Sequence, residues 1–275
     1  MLIGGDHRRH VGCGRGRRRL LRGGLVAAVV ALPMVAAAQT VSALPSAIAA
    51  IKPSVLPVGT YSATDSPRFT FRGTGFVVGD GTLLATNYHV LPSAADLEGG
   101  PALMVLVSRS GDQGSLRRAR LAASDRQRDL ALLKLEGPPL PALALEEAGG
   151  IREGQSIALM GFPIGGALGF SAVTHRGIVA SMTTSALPAA TAQSLDPRVV
   201  RRLRDGSNLE VIQLDATAYP GNSGGPVFDT ETGRVLGIVN QVLVKSTRES
   251  ALTNPTGITY AVPVRYLLEL LKDVR

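Results

Sequence analysis

The sequence predicts an all-β fold of two antiparallel β-barrels with a closing C-terminal helix, and three observations predict it. From Phe69 onward, short apolar stretches alternate with turn residues, and long helical periods are missing. A proline-rich break, Gly137-Pro138-Pro139-Leu140-Pro141, falls near the middle of the chain and divides the strands into two groups. One convincing helical period stands alone at the end, where Val264, Leu267, Leu268 and Leu271 fall at i, i+3, i+4 and i+7 behind Pro263. Short strands with regular turns and a single late helix argue for barrels and against a parallel α/β sheet, which needs a crossover between parallel strands.

The head of the chain, residues 1–38, reads as a signal peptide. Its arginines end at Arg22, an uncharged apolar stretch runs from Leu25 to Ala38, and Ala36-Ala37-Ala38 before Gln39 suits a signal peptidase. The apolar run is short for a stable bilayer span and Pro33 interrupts it. Arg17-Arg18-Arg19-Leu20-Leu21 also fits a loose twin-arginine pattern, so general and twin-arginine export stay open. A mitochondrial transit peptide and an uncleaved anchor are the alternatives. Export places the mature chain in the periplasm or outside the cell, with no stable membrane span after removal of the signal.

Residues 39–68, with Pro45, Pro53, Pro57 and Pro67, are expected to form an extended lead-in with one short helix near Ser46–Ile51. The first barrel is expected over 69–145. Its strands are Phe69–Val78 and Thr82–Thr86 around a Gly79-Asp80-Gly81 hairpin signal, then Ala102–Val107, Leu116–Leu121 and Leu130–Leu135. The second barrel, with the closing helix, is expected over 146–275. Its strands are Ser156–Met160, Ala172–Ser181, Glu210–Leu214, Pro226–Phe228, Arg234–Asn240 and Gly257–Val262. No internal sequence repeat is visible. Thr183–Ser207 is a long loop for a compact domain, with Arg198, Arg201, Arg202 and Arg204, and Pro197–Leu203 is its one helical candidate.

Charge and cysteine content exclude several function classes. The net charge of +8 suggests a nucleic-acid or membrane partner, but seven arginines and one acid lie in residues 1–38. The remainder carries 22 basic and 20 acidic residues, so no nucleic-acid partner is expected. Cys13, the single cysteine, is in the head. A mature chain without it has no cysteine nucleophile, no cysteine-based zinc site and no disulfide scaffold.

The chemistry points to a serine nucleophile. Tyr219-Pro220-Gly221-Asn222-Ser223-Gly224-Gly225-Pro226 sets a serine between glycines, which permit a tight backbone path and close approach of a carbonyl. The segment Gly221, Asn222, Ser223 is the candidate oxyanion hole, with N–H groups of Gly221 and Ser223 as donors and Asn222 carrying the turn. Two histidines follow the head, His89 and His175. His89 ends the apolar run Leu83-Leu84-Ala85-Thr86, a rigid place for a general base that exchanges protons near neutral pH. Asp129 opens the apolar strand Leu130–Leu135, where a carboxylate is costly unless paired, and orienting an imidazole supplies the pair. Asp125 is the rival and reads as a solvated acid; His175, beside Arg176, reads as structural or exposed.

Together these segments resemble the trypsin-like (chymotrypsin-fold) serine peptidases, most closely the protease domain of the bacterial HtrA/Deg family. Gly73-Thr74-Gly75-Phe76, Thr86-Asn87-Tyr88-His89-Val90, Asp129-Leu130-Ala131-Leu132-Leu133-Lys134, Gly221-Asn222-Ser223-Gly224-Gly225-Pro226 and Gly257-Ile258-Thr259-Tyr260-Ala261-Val262-Pro263 run in the family's order over about 69–275. The resemblance implies two six-stranded antiparallel barrels with the site in the cleft between them. It implies a serine endopeptidase that cleaves protein or peptide substrates through an acyl-enzyme, without cofactor or metal, in envelope protein quality control or secreted proteolysis. His89, Asp129 and Ser223 match the family's triad. Thr217 falls at the base of the primary specificity pocket, with Ile238, Val239 and Asn240 along a wall. No acid stands among them, which implies a preference for small or medium aliphatic side chains. The alternative is a catalytically idle chaperone or peptide-binding protein of the same fold.

Three departures accompany the resemblance. The chain ends at Arg275 without the family's usual PDZ domain, which leaves the oligomeric state open. The 183–207 loop is longer than the family's regulatory loop. Thr174-His175-Arg176-Gly177 carries one residue more than the family's turn.

Overall fold

A computed structural model describes residues 43–98, 100–107, 114–147, 150–163, 165, 169–185, 209–240 and 257–274. The head and the helical candidate Pro197–Leu203 lie outside the described residues, as does the 183–207 loop beyond its first three residues. Helix α1 (Leu44–Ile51) precedes strands β1 (Val55–Tyr61), β2 (Phe69–Val78), β3 (Leu83–Thr86), β4 (Ala102–Val107), β5 (Ser115–Asp125) and β6 (Leu130–Leu135). Then come β7 (Ser156–Gly161), β8 (Val173–Ser185), β9 (Leu209–Asp215), β10 (Pro226–Asp229), β11 (Val235–Val239), β12 (Ile258–Pro263) and helix α2 (Val264–Lys272).

The strands close two antiparallel barrels of six strands each. The first is ordered β1-β2-β3-β6-β5-β4 and the second β7-β8-β9-β12-β11-β10. The two orders are the same, although the sequence carries no visible repeat. Closure removes the sheet edges that would otherwise offer unpaired backbone groups.

Strands at the junction are covered on both faces, and this explains their unbroken apolar runs. Leu84 of β3 and Leu133 and Leu135 of β6 point into the first barrel with Val58, Val77 and Val105. Leu83, Ala85, Leu130 and Leu132 point the other way, into a cluster shared with Met160, Phe228, Ile238 and Val262 of the second barrel. On the second barrel, Ile157 and Leu159 of β7 fill the interior with Ile212, Leu214 and Val227. Two faces in contact with protein give near-continuous Leu and Val; one solvated face would give alternation.

The lead-in expected over 39–68 is a correction. Val55–Tyr61 is a barrel strand, paired with β2 from Val55↔Phe76 to Tyr61↔Phe69 and with β4 from Val58↔Val105. Pro57 hides it in the sequence, because proline cannot donate to a ladder. At Pro57 the strand is paired with β2 alone, since the pairing to β4 begins at Val58, and the missing N–H is tolerated there. Thr174–Gly177, matched to a turn only by the family resemblance, run unbroken within β8, from Met160↔Thr174 to Ile157↔Gly177, in the strand expected over Ala172–Ser181.

Helix α2 buries Val264, Leu267, Leu270 and Leu271. Leu268, expected on that face, is partly buried against the same cluster. Arg128 anchors the helix to the first barrel, bonding Glu269 Oε2 at 2.9 Å with its guanidinium 4.3 Å from the Tyr266 ring centroid.

Asp229 closes the β10–β11 turn. Its carboxylate accepts from Gln155 Nε2 at 2.6 Å, Thr232 N at 2.7 Å and Glu231 N at 2.8 Å. Burial would raise its pKa, but these hydrogen bonds outweigh burial and hold the carboxyl below the usual range. A depressed folded pKa contributes stability above the unfolded value and loses it as pH falls through the folded one. The unfolding free energy should therefore decline as pH drops below about 4, the ordinary carboxylate range. Asp229→Asn should cost about 1–3 kcal/mol at neutral pH and decline less on acidification, as read from urea unfolding at a series of pH values.

Candidate active site

The site is assembled where loops of both barrels meet. His89 lies in the short 3-10 turn Tyr88–Val90 that follows β3. Asp129 lies in the turn between β5 and β6, Ser223 between β9 and β10, and Asn240 just after β11.

The Asp129 turn is built by its neighbours. Asp125, expected as a solvated acid, instead forms the turn: its Oδ1 accepts from Gln127 N and Arg128 N at 3.0 Å, and its Oδ2 from Arg128 Nη1 at 3.1 Å. Asp129 itself takes a left-handed backbone, φ 56°, which Asp tolerates better than most residues. That conformation presents its carbonyl to Tyr88 N–H at 3.1 Å and Asn87 Nδ2 at 3.0 Å.

The carboxylate of Asp129 then accepts three hydrogen bonds. His89 N–H donates to Oδ1 at 2.8 Å, and His89 Nδ1 lies 2.6 Å from Oδ2. Asn240 Nδ2, from the second barrel, donates to the same Oδ2 at 2.9 Å. An acid that accepts at His89 Nδ1 holds the proton on that nitrogen and leaves Nε2 for exchange with a substrate or nucleophile.

The serine loop is pressed against this pair. Gly73 is wedged between the two: a Cβ there would lie 2.7 Å from Val90, which follows His89, and 3.1 Å from the Ser223 carbonyl. At Gly224, φ +85°, a Cβ would lie 2.1 Å from the Thr74 carbonyl and 3.2 Å from Asn87 N, so only glycine allows the approach. Ser223 is 6% exposed.

Thr74, wholly buried, organises the loop from the first barrel. Its N–H donates to the Ser223 carbonyl at 2.9 Å. Its hydroxyl donates to the Gly221 carbonyl at 2.6 Å and accepts from Phe162 N–H at 3.2 Å. Thr86 Oγ1 donates to the Thr74 carbonyl at 2.7 Å. Tyr219–Asn222 forms a β-turn closed by Asn222 N–H to the Tyr219 carbonyl at 3.0 Å. Pro220 at the second position and Gly221 at the third, with φ +104°, make it type II. The Gly221 carbonyl is drawn to Thr74, while the Gly221 N–H has no partner among the described residues. Asn222 is buried between Gly161 and the turn, and its side-chain amide likewise finds no partner among the described residues.

The residues expected along a specificity pocket are placed differently. Ile238 is buried in the junction cluster and Val239 in the interior of the second barrel. Asn240 is turned to Asp129. Their side chains are thus taken up by packing and by the carboxylate, because β11 is covered on both faces. Thr217 lies in the partly buried segment between β9 and the type II turn. His175 is half-buried; burial lowers its pKa, and its ring lies 5.5 Å from that of Tyr219. Residues that sequence reasoning missed are Thr74, Asn240 as a carboxylate ligand, and Arg128, whose guanidinium ties the Asp129 turn to α2.

Comparison with known proteins agrees with the fold. Residues 73–238 match the family described as the trypsin-like peptidase domain. Among curated relatives are probable periplasmic serine endoproteases, DegP-like, of Pseudomonas fluorescens and Hahella chejuensis. These are 27% and 29% identical over 203 residues, 74% of this chain and 35% of each relative. The chain thus spans about a third of their length. Among solved structures, a serine endoprotease from Yersinia pestis shares the fold with a TM-score of 0.58 and 22% identity, covering 84% of this chain and 66% of that one. An HtrA-type protease with a tripeptide gives a TM-score of 0.56 and 23% identity, covering 84% and 63%. The chain belongs to the trypsin-like peptidase domain family.

Proposed function

We propose that the protein is a serine endopeptidase that cleaves polypeptides through an acyl-enzyme, with Ser223 as nucleophile, His89 as general base and Asp129 orienting the imidazole. The observation that carries the proposal is the Asp129 carboxylate, bonded to His89 Nδ1 at 2.6 Å and to Asn240 of the other barrel at 2.9 Å. His89 Nε2 takes the proton of Ser223 as its oxygen attacks the scissile carbonyl carbon. The carbonyl π electrons move to oxygen, where the N–H groups of Gly221 and Ser223 stabilise the charge. Collapse of the intermediate breaks the C–N bond, and the imidazolium gives its proton to the leaving amine. Water then repeats the sequence on the ester and frees Ser223.

The type II turn supports the oxyanion role, since Thr74 fixes the Gly221 carbonyl while the Gly221 N–H has no partner among the described residues. Thr217, the one expected pocket residue not taken up by the core or by Asp129, carries no charge, which supports cleavage after small or medium aliphatic side chains over basic ones. The arginine-rich head with its apolar stretch, and the periplasmic naming of the relatives, support export to the periplasm or beyond. Among the described residues no helix is long and apolar enough to cross a membrane.

The test is a fluorophosphonate probe with an unfolded protein substrate. The protein should be modified at Ser223, located by peptide mapping, and should degrade the substrate; Ser223→Ala should do neither. A folded wild-type protein that is not modified at Ser223 would overturn the assignment.

A further inference from the structure

We propose that the groove beside His89 on the first barrel is a second contact site for the polypeptide substrate, one that takes an apolar side chain next to an acidic one. The identity of the occupant rests on the peptidase reading above. The groove has a volume of about 650 Å³. One wall runs from Tyr88 and His89 to Leu97; the other is formed by β4 and the middle of β5. Leu91, Leu97, Leu103 and Leu121 supply much of its apolar lining. Leu97 and Leu121 are 38% and 51% exposed, two of the five large apolar side chains left exposed among the described residues. Covering them with an apolar side chain is favourable at about 25 cal/mol per Å² removed from water.

Charge defines the other half of the occupant. Arg72, Arg118 and Arg120 line the groove, and no carboxylate does. Arg72 is committed, donating to the Val90 and Leu91 carbonyls and pairing with Asp96 at 3.2 Å. Arg120 pairs with Glu136 at 2.8 Å. None of the ion pairs among the described residues uses Arg118. The groove therefore offers an uncommitted guanidinium next to exposed leucines, complementary to a carboxylate that follows or precedes a Leu-like residue. Nucleic acid fits less well. Tyr88 and His89 are the only rings in the lining; Tyr88 already faces the Arg126 guanidinium at 4.9 Å and His89 is bonded to Asp129, so the groove lacks a run of aromatic platforms for stacked bases. With His89 as part of the wall, a chain seated here is continuous with one lying across the reaction centre.

The test uses the full chain carrying Ser223→Ala, so that bound peptide is not cut. Two fluorescein-labelled peptides, alike except for a central Leu-Asp or Leu-Lys, are titrated by anisotropy. The Leu-Asp peptide should bind roughly fivefold to tenfold more tightly at low ionic strength, and the gap should shrink in high salt. Adding Arg118→Glu should reverse the order, and adding Leu121→Ser should weaken both peptides alike. Equal binding of the two peptides overturns the proposal. So does a preference that survives Arg118→Glu, an affinity untouched by Leu121→Ser, or displacement of the peptide by an equal concentration of single-stranded oligonucleotide. Because the readout is binding by protein without the Ser223 hydroxyl, it succeeds or fails separately from the labelling that tests the peptidase reading.

Discussion

Asp129→Asn should lower kcat by about four orders of magnitude at neutral pH while leaving the protein folded, as the same change does in a well-studied triad. The reason is a count of donors. The Asp129 carboxylate accepts from His89 N–H, His89 Nδ1 and Asn240 Nδ2, at 2.8, 2.6 and 2.9 Å. An amide has the same shape but one acceptor oxygen and one NH₂. Whichever way it is turned, an N–H of the amide faces one of those donors. If it faces His89 Nδ1, that nitrogen must give up its proton, and Nε2 then carries the hydrogen and cannot take one from Ser223. If it takes the Oδ1 position it faces the His89 backbone N–H, and the left-handed turn at Asp129 loses a bond that compensates its strain. Active-site titration with a rapid acylating substrate separates a slowed reaction from a smaller fraction of folded enzyme. A loss below tenfold would remove Asp129 from the machinery.

Thr74→Val should lower kcat by about a hundredfold with little change in KM, within the range seen when an oxyanion donor is lost. Valine keeps the shape of threonine and removes a hydroxyl that both donates to the Gly221 carbonyl and accepts from Phe162 N–H. Both groups are then left unpaired, each at about 1–3 kcal/mol, in a region closed to water. The relief open to the Tyr219–Asn222 turn is to swing the peptide plane before Asn222, which breaks the Asn222 N–H bond to the Tyr219 carbonyl and so releases the turn that sets the Gly221 N–H. Thr74→Ser, with its hydroxyl intact, should restore most of the rate. A purely structural role would lower the melting temperature of both variants and leave the turnover of folded molecules alone. Comparing kcat per titrated site with thermal unfolding decides between them.

Much of this was legible in the sequence, and the reason is covalent economy. The strands β2, β4 and β6 begin and end where the apolar runs do, because each is bounded by turn residues. The residues proposed as a triad stood out as candidates because three unusual local patterns stand next to strand ends. Reading failed where the reason for a residue lies across the chain. Pro57 argues against a strand unless the missing neighbour at that point is known. Ile238 and Val239 look like a wall, yet their strand is packed on both faces. Asn240 reads as an ordinary polar residue until the first barrel sets Asp129 against its amide. Thr74 is visible only as part of a Gly-Thr-Gly run; that it holds two carbonyls of a loop far along the chain is a property of the assembled junction.

The division of the site between two barrels has a consequence for the cell that makes the protein. A ribosome delivers His89 and Asp129 with the first barrel and Ser223, the proposed nucleophile, only with the second. Asn240, which steadies Asp129, follows still later, and the second barrel closes only when β12 is complete. On the proposed mechanism the half-made chain is thus inert by construction, since its base and its serine are not yet one instrument. Proteolytic power would then come only after both barrels have closed, and nicking or unfolding of either one would withdraw it at once.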